Sequence, residues 1–328
     1  MSETLILTHS EIEKLLPYSE FPTAIETVFR EWGNGNVVMP PKIHLDMARS
    51  GYDSWNNAMP GFIVPYGAAG IKWIGGYADN PKNGLPYIRG VVILTQPQNG
   101  DTLAFLDGIY ISDWRTGASA AVAVKYLARK GFKKVTIVGA GTQGKTAAAC
   151  IHVLFPAAEI TVADISEKNL ASFKQTVKEK YGIDAKTSTD ANEASKDADV
   201  VVLLTTASKP FLKKESLKPG VLLLGMGSYQ QAFDDALLSC DKVLVDSVGQ
   251  AAHRGEIKEL VESGKIPEKS LTVEMGEIVA GKVPGRTSDD EKILMVLVGL
   301  GAHDVFCASE AYKRAKAAGI GTPIDLSK

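Results

Sequence analysis

The stretch Val135-Thr-Ile-Val-Gly-Ala-Gly-Thr-Gln-Gly144 constrains this chain more than any other. A β-branched run stops at Gly139. Gly141 and Gly144 follow at the spacing Gly-x-Gly-x-x-Gly, and then comes a run of helix formers, Lys145 to Cys150. A strand that breaks on glycine and opens a helix aims unpaired backbone N–H groups at one point, which suits a pyrophosphate. The bare glycine pattern is weak, and the strand before it and helix after it make it specific. Thr142 and Gln143 join the three glycines as candidate cofactor contacts. The next strand, Glu159 to Ala163, ends at Asp164, where a dinucleotide fold places the acid that accepts a hydrogen bond from the adenosine ribose. A carboxylate there repels a 2′-phosphate, so the expected cofactor is NAD(H) in preference to NADP(H).

Further βα units follow. Asp199 to Leu204, Gly220 to Gly227 and Lys242 to Asp246 read as apolar strands alternating with helices, which implies a parallel sheet covered on both faces. Ligands of such sheets bind at the carboxyl ends of the strands, so Thr205, Thr206 and Met226 are further candidate cofactor contacts. The apolar run Ile293 to Leu300 fits either a helix or a buried strand. His303-Asp304 opens a helix to Ala318 with Gly319 as its C-cap. His303 reads as a core or capping residue.

The first third has a different pattern. A short strand (Leu5–Leu7) and two helices precede an extended edge segment at Pro40-Pro41-Lys42. Strands are expected at 62–64 and 70–74, then a hairpin of 89–94 with 102–106, forming an antiparallel meander. Lys72 lies between apolar neighbours, which fits a lysine snorkelling to water as well as a functional one. An alanine-rich helix is expected from about Ser112 to Lys130. Arg115 near its start opposes the helix dipole, a mismatch that an anionic partner would repair.

The fold class is therefore α/β. A Rossmann doubly wound parallel sheet (116–302) is joined by a smaller α+β domain, built from residues 1–115 and a returning C-terminal helix, 303–328. A net charge near −2 and scattered basic residues give no reason to expect nucleic acid or an anionic membrane surface as partner. No apolar run is long enough for a membrane span. Three dispersed cysteines, Cys150, Cys240 and Cys307, favour reduced thiols and a cytoplasmic location. The opening Met-Ser-Glu-Thr carries an acid where a signal peptide would carry a basic segment. No metal-ligand spacing is present.

The order of elements, with several short motifs, resembles the ornithine cyclodeaminase/mu-crystallin family. The matches are Pro40-Pro-Lys42, Met59-Pro60, Lys72, Ala104-x-x-Asp107-Gly, Arg115-Thr116 and the glycine turn; then Val245-Asp-Ser247, Gly276-Glu-Ile-x-x-Gly281 and Gly299-Leu-x-x-x-Asp304. The resemblance implies a homodimer built through the first domain, NAD(P)(H) on the Rossmann domain, and a small amino or imino acid as substrate. It also implies that Lys72 and Arg115 face that substrate, with Arg115 holding the α-carboxylate, Lys42 assisting, and Thr116 near the cofactor. Lys72 and Asp304 are the candidate catalytic residues, Lys72 moving a proton and Asp304 orienting either the lysine or the nicotinamide amide. Arg89 is a further candidate for the carboxylate.

Two positions depart from ornithine cyclodeaminase itself, which resembles this chain here but carries carboxylates suited to a diamine: this sequence has Asn57 and Ser228. The expected activity is therefore that of an imine reductase or amino-acid dehydrogenase, of the alanine-dehydrogenase or pyrroline-2-carboxylate-reductase kind. A cyclodeaminase-type ammonia lyase and a weakly catalytic dinucleotide-dependent binding protein are the alternatives.

Overall fold

The computed structural model describes residues 3–326, and the chain divides into two compact units. The first is 1–115 with 300–328 and the second is 116–299, so the return to the first unit begins at Leu300.

The first unit is built on one mixed sheet. Its strands are β1 (Thr4–Leu7), β2 (Val37–Val38), β3 (Ile43–Asp46), β4 (Ser54–Ile63), β5 (Ala68–Tyr77), β6 (Ile88–Thr95), β7 (Thr102–Asp107) and a final strand, Thr322–Ile324. β4 to β7 form the expected antiparallel meander, β1 adds in parallel to β7, and the last strand closes that edge against β1. β4 begins eight residues earlier than the hydrophobic run suggests. Asn56 and Asn57 are poor strand formers, and pairing with β3 on one side and β5 on the other overrides that preference. Pro60 falls in the interval between the stretches of β4 paired with β3 and with β2, where no outer strand needs its missing donor.

Helices α1 (His9–Leu15) and α2 (Phe21–Gly33) pack in this unit with a closing helix, Gly301–Ala318. Thr8 and Glu11 form a capping box at α1. The N-terminus of the closing helix lies directly on β4. A Cβ on Gly301 would sit 2.7 Å from the Met59 carbonyl oxygen, and one on Gly61 would sit 2.9 Å from Ala302. Only glycine allows two backbones this close.

Helix α3 (Gly108–Leu127) starts about a turn before the expected position. The Asp107 carboxylate accepts from the N–H groups of Ile109 and Tyr110, a cap that sets the start. Arg115 is thus two turns into the helix, where the terminal dipole has faded, so the expected mismatch with the dipole is absent.

The second unit is a seven-stranded, wholly parallel sheet: β8 (Lys134–Val138), β9 (Glu159–Ala163), β10 (Lys186–Ser188), β11 (Val200–Leu203), β12 (Leu222–Gly225), β13 (Lys242–Val245) and β14 (Ile293–Val296). The spatial order is β10-β9-β8-β11-β12-β14-β13, with helices α4 (Thr142–Leu154) and α5 (Glu167–Tyr181) among the connections. The undecided run at 293–300 is resolved as a strand, because β12 and β13 flank it and bury all four residues of β14. The order reverses at β8, the topological switch point at which such sheets bind ligands. No helix among the described residues is long and apolar enough to cross a membrane, and no cluster of His, Cys, Asp and Glu among them could hold a metal.

Candidate active site

Lys72 is completely buried on β5. Its Nζ lies 2.8 Å from Asp304 Oδ1 and donates to Ser112 Oγ at 3.1 Å. Arg115 Nε lies 3.3 Å from the same Asp304 oxygen. Each side chain arrives by a traceable route. Ser112 and Arg115 are three apart on α3 and share a face. Lys72 pairs with Met59 across β4–β5, and the closing helix touches β4 at Met59 and Pro60 through Gly301. That close approach brings Asp304, in the first turn of the helix, onto the lysine. The positive end of the helix favours the carboxylate there.

Burial pushes the Lys72 ammonium down to about 7; Arg115 pushes the same way, Asp304 opposes both, and Lys42 adds to the lowering. A lysine poised at neutral pH can carry and release a proton. Asp113, beside Ser112, is raised by burial to about 6. His303 is fully buried, its ring edge-on to Phe29 at 4.6 Å between centroids, and burial together with Arg115 and Lys72 holds it neutral. It is a core histidine.

Asn57 lies on β4 opposite Ile74, so it shares the sheet face of Lys72, and its Oδ1 is 2.9 Å from His44 Nδ1. Arg89 does not belong to this group. β6 pairs Lys72 with Val92, and side chains alternate along a strand, so Arg89 points to the opposite face with exposed Val91. The expected help from Arg89 in holding a carboxylate is corrected on that ground.

The second unit offers a different kind of site. Gly139 has φ +115°, and a Cβ there would meet the Leu204 carbonyl oxygen at 2.7 Å. A Cβ on Gly144 would collide with the Gly139 carbonyl oxygen, so the third glycine lets α4 sit tightly on β8. Around Gly141, the N-cap of α4, no atom lies within 4 Å of where a Cβ would be. That open space in front of the N–H groups of Thr142 and Gln143 fits a pyrophosphate. The Asp164 carboxylate accepts from the Ala140 and Ser166 N–H groups at 2.8 and 2.9 Å, one on each oxygen. It is held at the turn with lone pairs to spare for two ribose hydroxyls. Ser166, not Asp164, caps α5, accepting from Asn169. Thr205 and Thr206 follow β11, Met226 and exposed Ser228 follow β12, and Thr116 begins this unit within α3.

Three participants carried no sequence signal strong enough to single them out. Ser112 is one small residue among many at a helix start. Gln231 and Glu256 are buried polar residues behind the tips of β11 and β12.

The ornithine cyclodeaminase/mu-crystallin family model matches residues 2–319. The chain belongs to that family. Alanine dehydrogenase from Archaeoglobus fulgidus is 34% identical over 325 residues, covering 98% of each chain. Among solved structures, an archaeal alanine dehydrogenase dimer with bound NAD superposes with a TM-score of 0.92 at 34% identity, covering 99% of this chain and all of that one. Thermococcus litoralis Delta(1)-pyrroline-2-carboxylate reductase in complex with NADH and L-proline gives a TM-score of 0.91 at 30% identity, covering 98% of this chain and all of that one.

Proposed function

We propose that this protein is an NAD(H)-dependent oxidoreductase that reduces a small imino acid or oxidises the corresponding amino acid. The observation that carries the reading is the buried Lys72–Asp304 pair flanked by Ser112 and Arg115. The cofactor supplies the hydride when bound. Arg115 and Lys42 provide the positive charge that a substrate α-carboxylate needs, and Arg115 adds a planar fork. Lys72 gives a proton to the substrate nitrogen on reduction and takes one back on oxidation. Asp304 keeps the ammonium form accessible at neutral pH. Asp164 excludes a 2′-phosphate and favours NAD(H).

Relatives that bind NADH with L-proline, or act on alanine, support a small α-amino or α-imino acid as substrate. Cyclisation of a diamino acid is the weaker reading, because Asn57 and Ser228 stand where a diamine would need carboxylates. One panel separates them: the reductase consumes NADH with a cyclic imine, or with a 2-oxo acid plus ammonia or methylamine, whereas a cyclodeaminase releases ammonia from a diamino acid with no net change in NADH. Silence in every arm despite NADH binding would leave only the binding-protein reading.

A homodimer through the first unit belongs to the same proposal. Val91, Trp73, Ala58 and Ile43 form one row across β6, β5, β4 and β3 on the face opposite Lys72, and all but Ala58 are exposed large apolar side chains. Trp73→Glu would yield monomers in light scattering. A cytoplasmic location fits three cysteines that form no disulfide.

A further inference from the structure

Behind the ends of β11 and β12 lies a buried polar pair that the proposed chemistry does not use. Gln231 is fully buried, and its side-chain amide holds both backbone groups of Thr205: Nε2 donates to the Thr205 carbonyl at 2.8 Å, and Oε1 accepts the Thr205 N–H at 3.4 Å. Its own N–H and that of Ala232 both donate to Glu256 Oε1, at 2.9 and 2.7 Å. Glu256 is also fully buried, and its Oε2 has no hydrogen-bond partner among the described residues. The pair occupies space that side chains would otherwise fill. A Cβ on Gly225 would sit 2.7 Å from Glu256 Cβ, and one on Gly227 would collide with Gln231 Nε2.

The placement gives the pair its meaning. Asp164 follows β9, on one side of β8; β11 and β12 lie on the other side. With the adenosine ribose at Asp164 and the pyrophosphate at the glycine turn, the second nucleoside of a dinucleotide falls over the ends of β11 and β12. We propose that Gln231 and Glu256 are positioning residues for the nicotinamide half of the cofactor, fixing the tips at Thr205 and Gly225–Gly227 that this half rests on. The inference relies on the dinucleotide reading above. Burial raises the Glu256 carboxyl to about 7 against its two N–H bonds, so a neutral isostere that keeps the Oε1 acceptor fits the same place.

The test compares NADH with ADP, which lacks the whole second nucleoside, on the purified full-length protein. NADH is followed by fluorescence and ADP by calorimetry. Gln231→Met, which keeps volume but loses the amide, and Glu256→Ala are expected to weaken NADH binding about tenfold, the usual scale for orphaning buried hydrogen-bonding groups. ADP affinity should stay within about twofold, which also shows that the variants fold, and Glu256→Gln should restore NADH binding to near wild type. Equal losses for both ligands, or undiminished NADH binding in Gln231→Met and Glu256→Ala, would overturn the assignment. Wild-type protein that bound neither ligand would bring down the dinucleotide reading and this inference together.

Discussion

The two units each present positive potential to an anion, and they build it in opposite ways. In the second unit it comes from backbone N–H groups at Gly139–Gly144, contiguous in sequence and shaped by the absence of side chains. In the first unit it comes from the side chains of Lys72 on β5 and Arg115 on α3, set against the Asp304 carboxylate of the closing helix, with Lys72 and Asp304 fully buried. A backbone site carries fixed partial charges and does not titrate. A buried side-chain site has a protonation state set by its neighbours, so it can take part in proton transfer. That division suits a reaction in which one partner must only be held and the other must exchange a proton.

Lys72→Ala should separate the two sites most widely. With the proton carrier gone, turnover should fall about a thousandfold, within the range expected for loss of a general acid, while NADH affinity stays unchanged because the backbone site is untouched. Steady-state rates alongside fluorescence titration read the two halves separately. Retention of full turnover would remove Lys72 from the chemistry.

Asp304→Asn tests the titration itself. For imine reduction the protonated lysine is the active form, so kcat/KM should be highest below about 7 and decline as pH rises through that value. Asp304 is the partner that raises the lysine, opposing burial and Arg115. Its neutralisation lets the Lys72 pKa fall further, and the descending limb should move to lower pH. Above the pKa the protonated fraction falls about tenfold for every further step of one in pH. Activity at pH 7 is then expected to drop by about tenfold and to recover partly on acidification. A descending limb that stays near 7 would mean that another group controls it.

How far each site could be read from sequence follows from the same difference. The glycine turn and Asp164 stand out because strand, turn and helix are consecutive and the glycine spacing lies within one short stretch of chain. Lys72 can be picked out as a charge in an apolar strand, though its burial depends on Ser112 and Asp304, 40 residues after it and at the far end of the chain. Arg89 escapes a reading from sequence because its face depends on the β5–β6 register, which pairs Lys72 with Val92. The start of α3 depends on Asp107 acting as a cap, an aspartate that also ends a strand. Local chemistry is visible locally; parity and long-range closure are not.

Asp164 offers a milder perturbation of the backbone site. Asp164→Ser removes the charge that repels a 2′-phosphate and shortens the acceptor. The NADH-to-NADPH preference in kcat/KM should narrow by about tenfold, roughly 1.4 kcal/mol, mostly through KM. A preference that did not move would place cofactor choice elsewhere.

The smallest effect, and the most specific to a site made by absence, is expected at Gly141. Its φ of −76° is open to any residue, and nothing lies within 4 Å of the added methyl group. Gly141→Ala should therefore leave the thermal midpoint of the free protein unchanged, whereas Gly144→Ala must displace the Gly139 carbonyl and lower it. The space that makes Gly141→Ala harmless to folding is the space assigned to the pyrophosphate. NADH affinity should accordingly fall about fivefold, near 1 kcal/mol, and the stabilisation of the protein by NADH in a thermal melt should shrink in step. A variant with unchanged melting and unchanged NADH binding would mean that the phosphates approach the helix from another side.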